Sequence, residues 1–166
     1  MKKGLALFCL PVLFFIGSAT AQTPQLYEKF ENWDVYLTNT AAGEFDVCMA
    51  TRNYPNKEML IFYTDGNTFT MGLLLERWQL DATESYDVSI QIDNGAPIAT
   101  KALAGDDKKS VFIELELTPY MMDFVRGTDF FLNTKAGSLK FNITGAALAL
   151  NRMAACALEN MPEEAP

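Results

Sequence analysis

Hydrophobic positions along this chain recur mostly at every second residue. Tyr86, Val88, Ile90 and Ile92 alternate with Asp87, Ser89, Gln91 and Asp93, a spacing that predicts a strand with one wet face. Val111, Ile113, Leu115 and Leu117 alternate in the same way with Phe112, Glu114 and Glu116. So do Trp33, Val35 and Leu37 with Asp34, Tyr36 and Thr38, and Leu139, Phe141 and Ile143 with Lys140 and Asn142. Met59–Tyr63 and Phe69–Leu75 are more continuously apolar and predict central strands covered on both faces. Turn signals separate the runs: Asp65-Gly66 and Asn94-Gly95, which tolerate positive φ, and the longer Ala41-Ala42-Gly43 and Lys135-Ala136-Gly137-Ser138. Roughly eight or nine strands result, mostly paired with their sequence neighbours, since parallel crossovers would need helices between strands.

Two segments depart from this period. Pro119–Arg126 predicts a short helix, with Thr118 as its cap, Pro119 at its first position and Gly127 at its end. Gly145–Asn160 predicts a C-terminal helix with Thr144 as a possible cap. Its apolar stripe is Ala146, Leu150, Met153 and Ala157, with Cys156 on the flank. The fold class expected is mainly β: an antiparallel, sandwich-like or strongly bent single domain over residues 22–160, with one short helix and one C-terminal helix. Residues 161–166, Met-Pro-Glu-Glu-Ala-Pro, read as a disordered acidic tail.

Residues 1–21 read as a cleaved signal peptide. Lys2 and Lys3 precede an apolar run from Leu5 to Ile16, and Ala19-Thr20-Ala21 has the form a signal peptidase accepts. The run is too short to span a bilayer core of about 30 Å. A periplasmic or secreted address follows, with no membrane insertion of the mature chain. Cys9 leaves with the leader, so Cys48 and Cys156 remain in an oxidising compartment. They predict one intramolecular disulfide; the alternatives are two buried free thiols or an interchain bridge. Neither lies in a C-x-x-C motif, so the bond is read as structural.

Composition then narrows the chemistry. The chain of 166 residues has 21 acidic and 13 basic side chains and a formal charge of −8. That balance argues against nucleic acid, whose phosphates call for Lys and Arg. There is no His at all, which removes the usual general base and the commonest zinc ligand. No catalytic, cofactor or metal motif appears. Glu114 and Glu116 share one strand face, as a carboxylate pair for glycan hydrolysis would, but they also suit the wet face of an amphipathic strand. Asp106 and Asp107, in an acidic loop, would suit an inhibitor that enters a basic cleft. Aromatic side chains are the remaining candidates. Tyr36 and Phe112 lie on the otherwise polar faces of their strands, where a second packed layer or a binding surface would account for them. Arg77-Trp78, near a strand end, suits a ligand held by stacking. These four residues mark the candidate binding surface of a non-enzymatic protein whose partner is a protein or envelope ligand.

The order of features carries a resemblance. Trp33-Asp34-Val35 opens a strand, Val47-Cys48-Met49-Ala50 lies in the next, and Asp93-Asn94-Gly95 closes a middle strand. A helix ending in Arg126-Gly127 and the run Ser138–Leu150 then lead to Cys156. Over residues 30–158 this order resembles the invasion-associated locus B family of exported proteins from Gram-negative bacteria. The resemblance implies a sandwich-like periplasmic or secreted protein linked to host interaction or envelope function, without known catalytic residues.

Overall fold

The computed structural model describes residues 23–115 and 119–162, the latter stretch through backbone alone up to Met121. The expected signal peptide, the expected cap at Thr118 and Glu163–Pro166 of the expected tail lie outside the described residues. Among the described residues, ten strands form one sheet. β1 (Gln25–Lys29), β2 (Asp34–Asn39), β3 (Phe45–Tyr54), β4 (Glu58–Thr64) and β5 (Phe69–Leu75) cross it in chain order. The order then runs β8 (Ser110–Leu115), β7 (Ile98–Ala104), β6 (Ser85–Ile92), β9 (Asp129–Thr134) and β10 (Gly137–Asn142). Every neighbouring pair is antiparallel. Only β5–β8 and β6–β9 join strands that are not adjacent in sequence, as the scarcity of crossover helices requires.

The sheet bends until its two halves face each other, which gives the sandwich-like form. Tyr54 of β3 lies edge-on to Phe141 of β10, with ring centroids 5.3 Å apart, and its hydroxyl donates to the Asn142 carbonyl at 2.8 Å. Helices α1 (Pro119–Arg126) and α2 (Ala146–Asn160) fill the inside of the bend. Register keeps one set of side chains inward. Val35, Ala50, Phe62, Met71 and Ile113 lie opposite one another across five strands, and all are buried. β5 is buried at nearly every position, as its continuous apolar run predicts, but β4 alternates: Met59, Ile61 and Tyr63 are only half-buried, so this strand keeps one face that no second layer covers.

β1 and β7 fall where the hydrophobic pattern marks no strand. Gln25–Lys29 is polar at most positions, and Ile98–Ala104 carries three alanines and a lysine. Both take strand geometry from the ladders of their neighbours, a tertiary preference that outweighs local propensity. The turn after β6 also differs in detail. Asp93, not Gly95, adopts the left-handed conformation, at φ 48°, and the Gly95 N–H closes the turn on the Ile92 carbonyl at 2.9 Å.

α2 buries Ala146, Ala149, Leu150, Met153, Cys156 and Ala157 against β2, β3 and β4. Its cap is Gly145 at φ 87°, with no side-chain hydrogen bond, so Thr144 does not serve as the hydroxyl cap its position suggests. The Thr144 carbonyl acts instead. It accepts from Trp33 Nε1 at 3.2 Å and from Arg52 Nη1 at 2.8 Å, which ties the helix entry to β3 and to the residue before β2. At the other end the Met161 N–H donates to the Ala157 carbonyl, and the Met161 thioether lies against Gly66. The first residue of the expected tail is therefore docked. Cys48 of β3 and Cys156 of α2 form one intramolecular disulfide, with Cα atoms 6.1 Å apart and both residues fully buried. No helix among the described residues is long and apolar enough to cross a membrane.

Acidic side chains organise several turns. Asp93 Oδ1 accepts the backbone N–H of Asp129 at 2.8 Å and of Thr128 at 3.1 Å, joining the end of β6 to the α1–β9 connection. These hydrogen bonds, Asp129 first, hold its carboxyl below the ordinary range. At Asp65 the hydrogen bond from the Thr68 backbone does the same at the β4–β5 turn. A carboxyl depressed in the fold contributes stability above the ordinary carboxylate range, and that contribution is lost as pH falls through the depressed value. Asp93→Asn is therefore expected to melt below the parent at pH 7, and the gap should close in melts near pH 2. A gap unchanged at the lower pH would show that the charge plays no part.

Candidate functional site

The outward face of the sheet is the first candidate. Tyr36 of β2, Met49 of β3 and Tyr63 of β4 lie opposite one another in register, and the row continues through Thr70 of β5 to Glu114 of β8. The next row runs Ile61, Gly72, Phe112 and then Leu103 of β7. Gly72 leaves a trough that Phe112 fills: a Cβ there would stand 3.2 Å from the Phe112 ring. Phe112 also meets Tyr63 edge-on, with centroids 6.3 Å apart. Its apolar contacts thus come from its own sheet. No described helix or strand packs over Tyr36 and Phe112, because both helices lie on the inward side. Tyr36, Met49, Ile61, Tyr63 and Phe112 are half-buried, while Leu26 and Leu103 are each 51% exposed. Met49, Ile61 and Leu103 join this face only through register, which hairpin lengths set and single-strand alternation does not reveal.

Arg77 and Trp78 lie elsewhere, on the β5–β6 connection at one end of the bend. They line a cavity of about 440 Å³. A smaller one of about 240 Å³ adjoins it and shares Arg77, Trp78, Thr134 and Ala136. The connection is held in place. The Trp78 N–H donates to the Leu75 carbonyl and the Leu80 N–H to the Lys108 carbonyl, both at 2.9 Å, while Asp81 N–H donates to the Tyr86 hydroxyl at 3.0 Å. Arg77 pairs with Glu58. The four candidate binding residues thus divide into two places: Tyr36 and Phe112 on the open face, Arg77 and Trp78 at the cavity mouth. Sequence reasoning missed Lys135, Leu132 and Val88 as lining residues of that mouth.

Of the carboxylate candidates, Glu114, Asp106 and Asp107 lie among the described residues. Glu114 is exposed and makes no ion pair among the described residues, and Glu116 lies outside them. Asp107 serves its own turn. Its Oδ1 accepts from Lys109 N, Ser110 N and Ser110 Oγ at 2.8–2.9 Å. Burial pushes its carboxyl up, but these hydrogen bonds outweigh that and leave it below the ordinary range. No group of three or more metal-ligating side chains occurs among the described residues.

No family model matches the chain, and no curated protein matches it either. Among solved structures, the fold is similar to the crystal structure of invasion associated protein B from Bartonella henselae. The TM-score is 0.52 at 16% identity, covering 85% of this chain and 99% of that one. At this identity the likeness is one of fold. It falls on the same family name that the order of features in the sequence resembles.

Proposed function

We propose that the chain is an exported, non-enzymatic interaction protein of the bacterial envelope, and that it docks a protein partner on the outward face of its sheet. The observation that carries this reading is the apolar surface built from Tyr36, Met49, Tyr63, Ile61, Phe112 and Leu103, open to solvent and framed by Glu114. Soluble monomers rarely leave contiguous apolar area of this kind without a use. Aromatic and Met side chains are also the types enriched where protein surfaces meet. Glu114 and the acidic balance of the chain select a partner with a basic rim. A host-facing role is the reading that the fold likeness to an invasion-associated protein favours.

The test is site-specific photo-crosslinking in the cell envelope. A crosslinker at Tyr36 or Leu103 should trap one discrete partner, and a crosslinker at Asn151, exposed on α2, or at Ala136 should not. Glu114→Lys should reduce the yield at Tyr36 several-fold without changing the melting temperature. Trapping of the same species from all four positions, or of none, would refute the docking face.

A further inference from the structure

The cavity at the other end of the molecule has a chemistry of its own, independent of the outward face. Its floor is the inner side of the sheet: Val88, Ala102, Val111 and Leu132, all at least nine-tenths buried. Its mouth lies between the β5–β6 connection and the β9–β10 turn, where Trp78 and Lys135 stand. A volume of about 440 Å³ is within the range of small-molecule sites, roughly 300–1,000 Å³. The charges around the mouth run against the balance of the chain. Glu58 is paired with Arg77, and Asp87 with Lys101 at 2.7 Å. Lys135 makes no ion pair among the described residues, and it adds to the cations that hold the Asp87 carboxyl down. Among the lining residues themselves two cations, Arg77 and Lys135, stand with one carboxylate, Asp87, in a protein where acids outnumber bases by 21 to 13.

We infer that this cavity binds an anionic amphiphile, an aliphatic chain with a terminal carboxylate. The chain enters over the aliphatic floor beside Trp78, and the carboxylate stays at the mouth against Lys135. Burial of the chain supplies the driving force, and each further methylene adds to it. The cation fixes the orientation, since an apolar floor has no counterpart for a charged end.

Decanoate below its micelle concentration is the probe, with decanol as its uncharged counterpart. Calorimetry should show saturable one-to-one binding of decanoate and at least tenfold weaker binding of decanol. Methyl resonances of Val88 and Leu132 should shift as decanoate saturates. Lys135→Glu should weaken decanoate about tenfold and leave decanol unchanged. Ala136→Trp, at an exposed turn position, should block both. Absence of decanoate binding overturns the inference, and so does binding that neither variant alters. Equal affinity for decanol and decanoate overturns the role assigned to the charge.

Discussion

Replacing both Cys48 and Cys156 by Ala is expected to lower the unfolding free energy by about 4–5 kcal/mol, the value the chain-entropy account gives for a closed loop of roughly 100 residues. The two cysteines are 108 residues apart in sequence, so the bond constrains most of the unfolded domain. In the fold it fastens the last helix to the third strand at a site with no solvent exposure. The alanines remove only the sulfur atoms, and Ala50, Ala149 and Leu150 remain buried in the same core. The loss should therefore appear chiefly as an expanded denatured state: a lower denaturation midpoint together with a steeper urea dependence. Because both sulfurs are buried, reductant should break the bond in the native protein only as fast as the protein opens. A double variant within about 1 kcal/mol of the parent would show that α2 docks without help from the bond.

How far the sequence reveals this architecture depends on what each feature rests upon. Strands such as Tyr86–Ile92 and Val111–Leu115 are visible because one face is buried and the other is wet, and burial leaves a period of two. β1 and β7 are not visible, because their place depends on edges offered by other strands. The pairing of Cys48 with Cys156 is accessible from cysteine count once Cys9 is assigned to an expected leader, which leaves two cysteines. The helix cap is not: Gly145 takes the cap position at positive φ, and the Thr144 carbonyl beside it accepts from Trp33 and Arg52, which lie more than 90 residues away. The candidate site divides along the same line. Tyr36 and Phe112 stand out as apolar residues on polar faces, within single strands. The continuity of the face through Met49, Gly72 and Leu103 exists only in the register between strands. The cavity is less legible still, since a loop near residue 78 and a turn near residue 135 meet only when the sheet bends.

Two adjacent residues on β4 should lose very different amounts of stability on the same truncation. Phe62→Ala is expected to cost about 3–5 kcal/mol, the usual range for a buried Phe. Its ring is fully buried and stacks on Trp33 and Phe69, with centroids 5.9 and 5.6 Å away, and meets Phe124 of α1 edge-on at 4.8 Å. Removal opens a void where β4, α1 and the residue that receives the α2 entry all converge, and rigid aromatic neighbours collapse poorly into such a space. Tyr63→Ala, one residue on, is expected to cost about 1 kcal/mol or less, because that ring points outward and loses little beyond its edge contact with Phe112. Urea melts of the two variants measure the difference directly. The comparison also bears on function. A small loss at Tyr63 means that the outward aromatics contribute little to the isolated fold, so stability does not account for them, as the proposed docking face requires. Equal losses at the two positions would show instead that the outward face is covered by the protein itself, and the docking surface would be withdrawn.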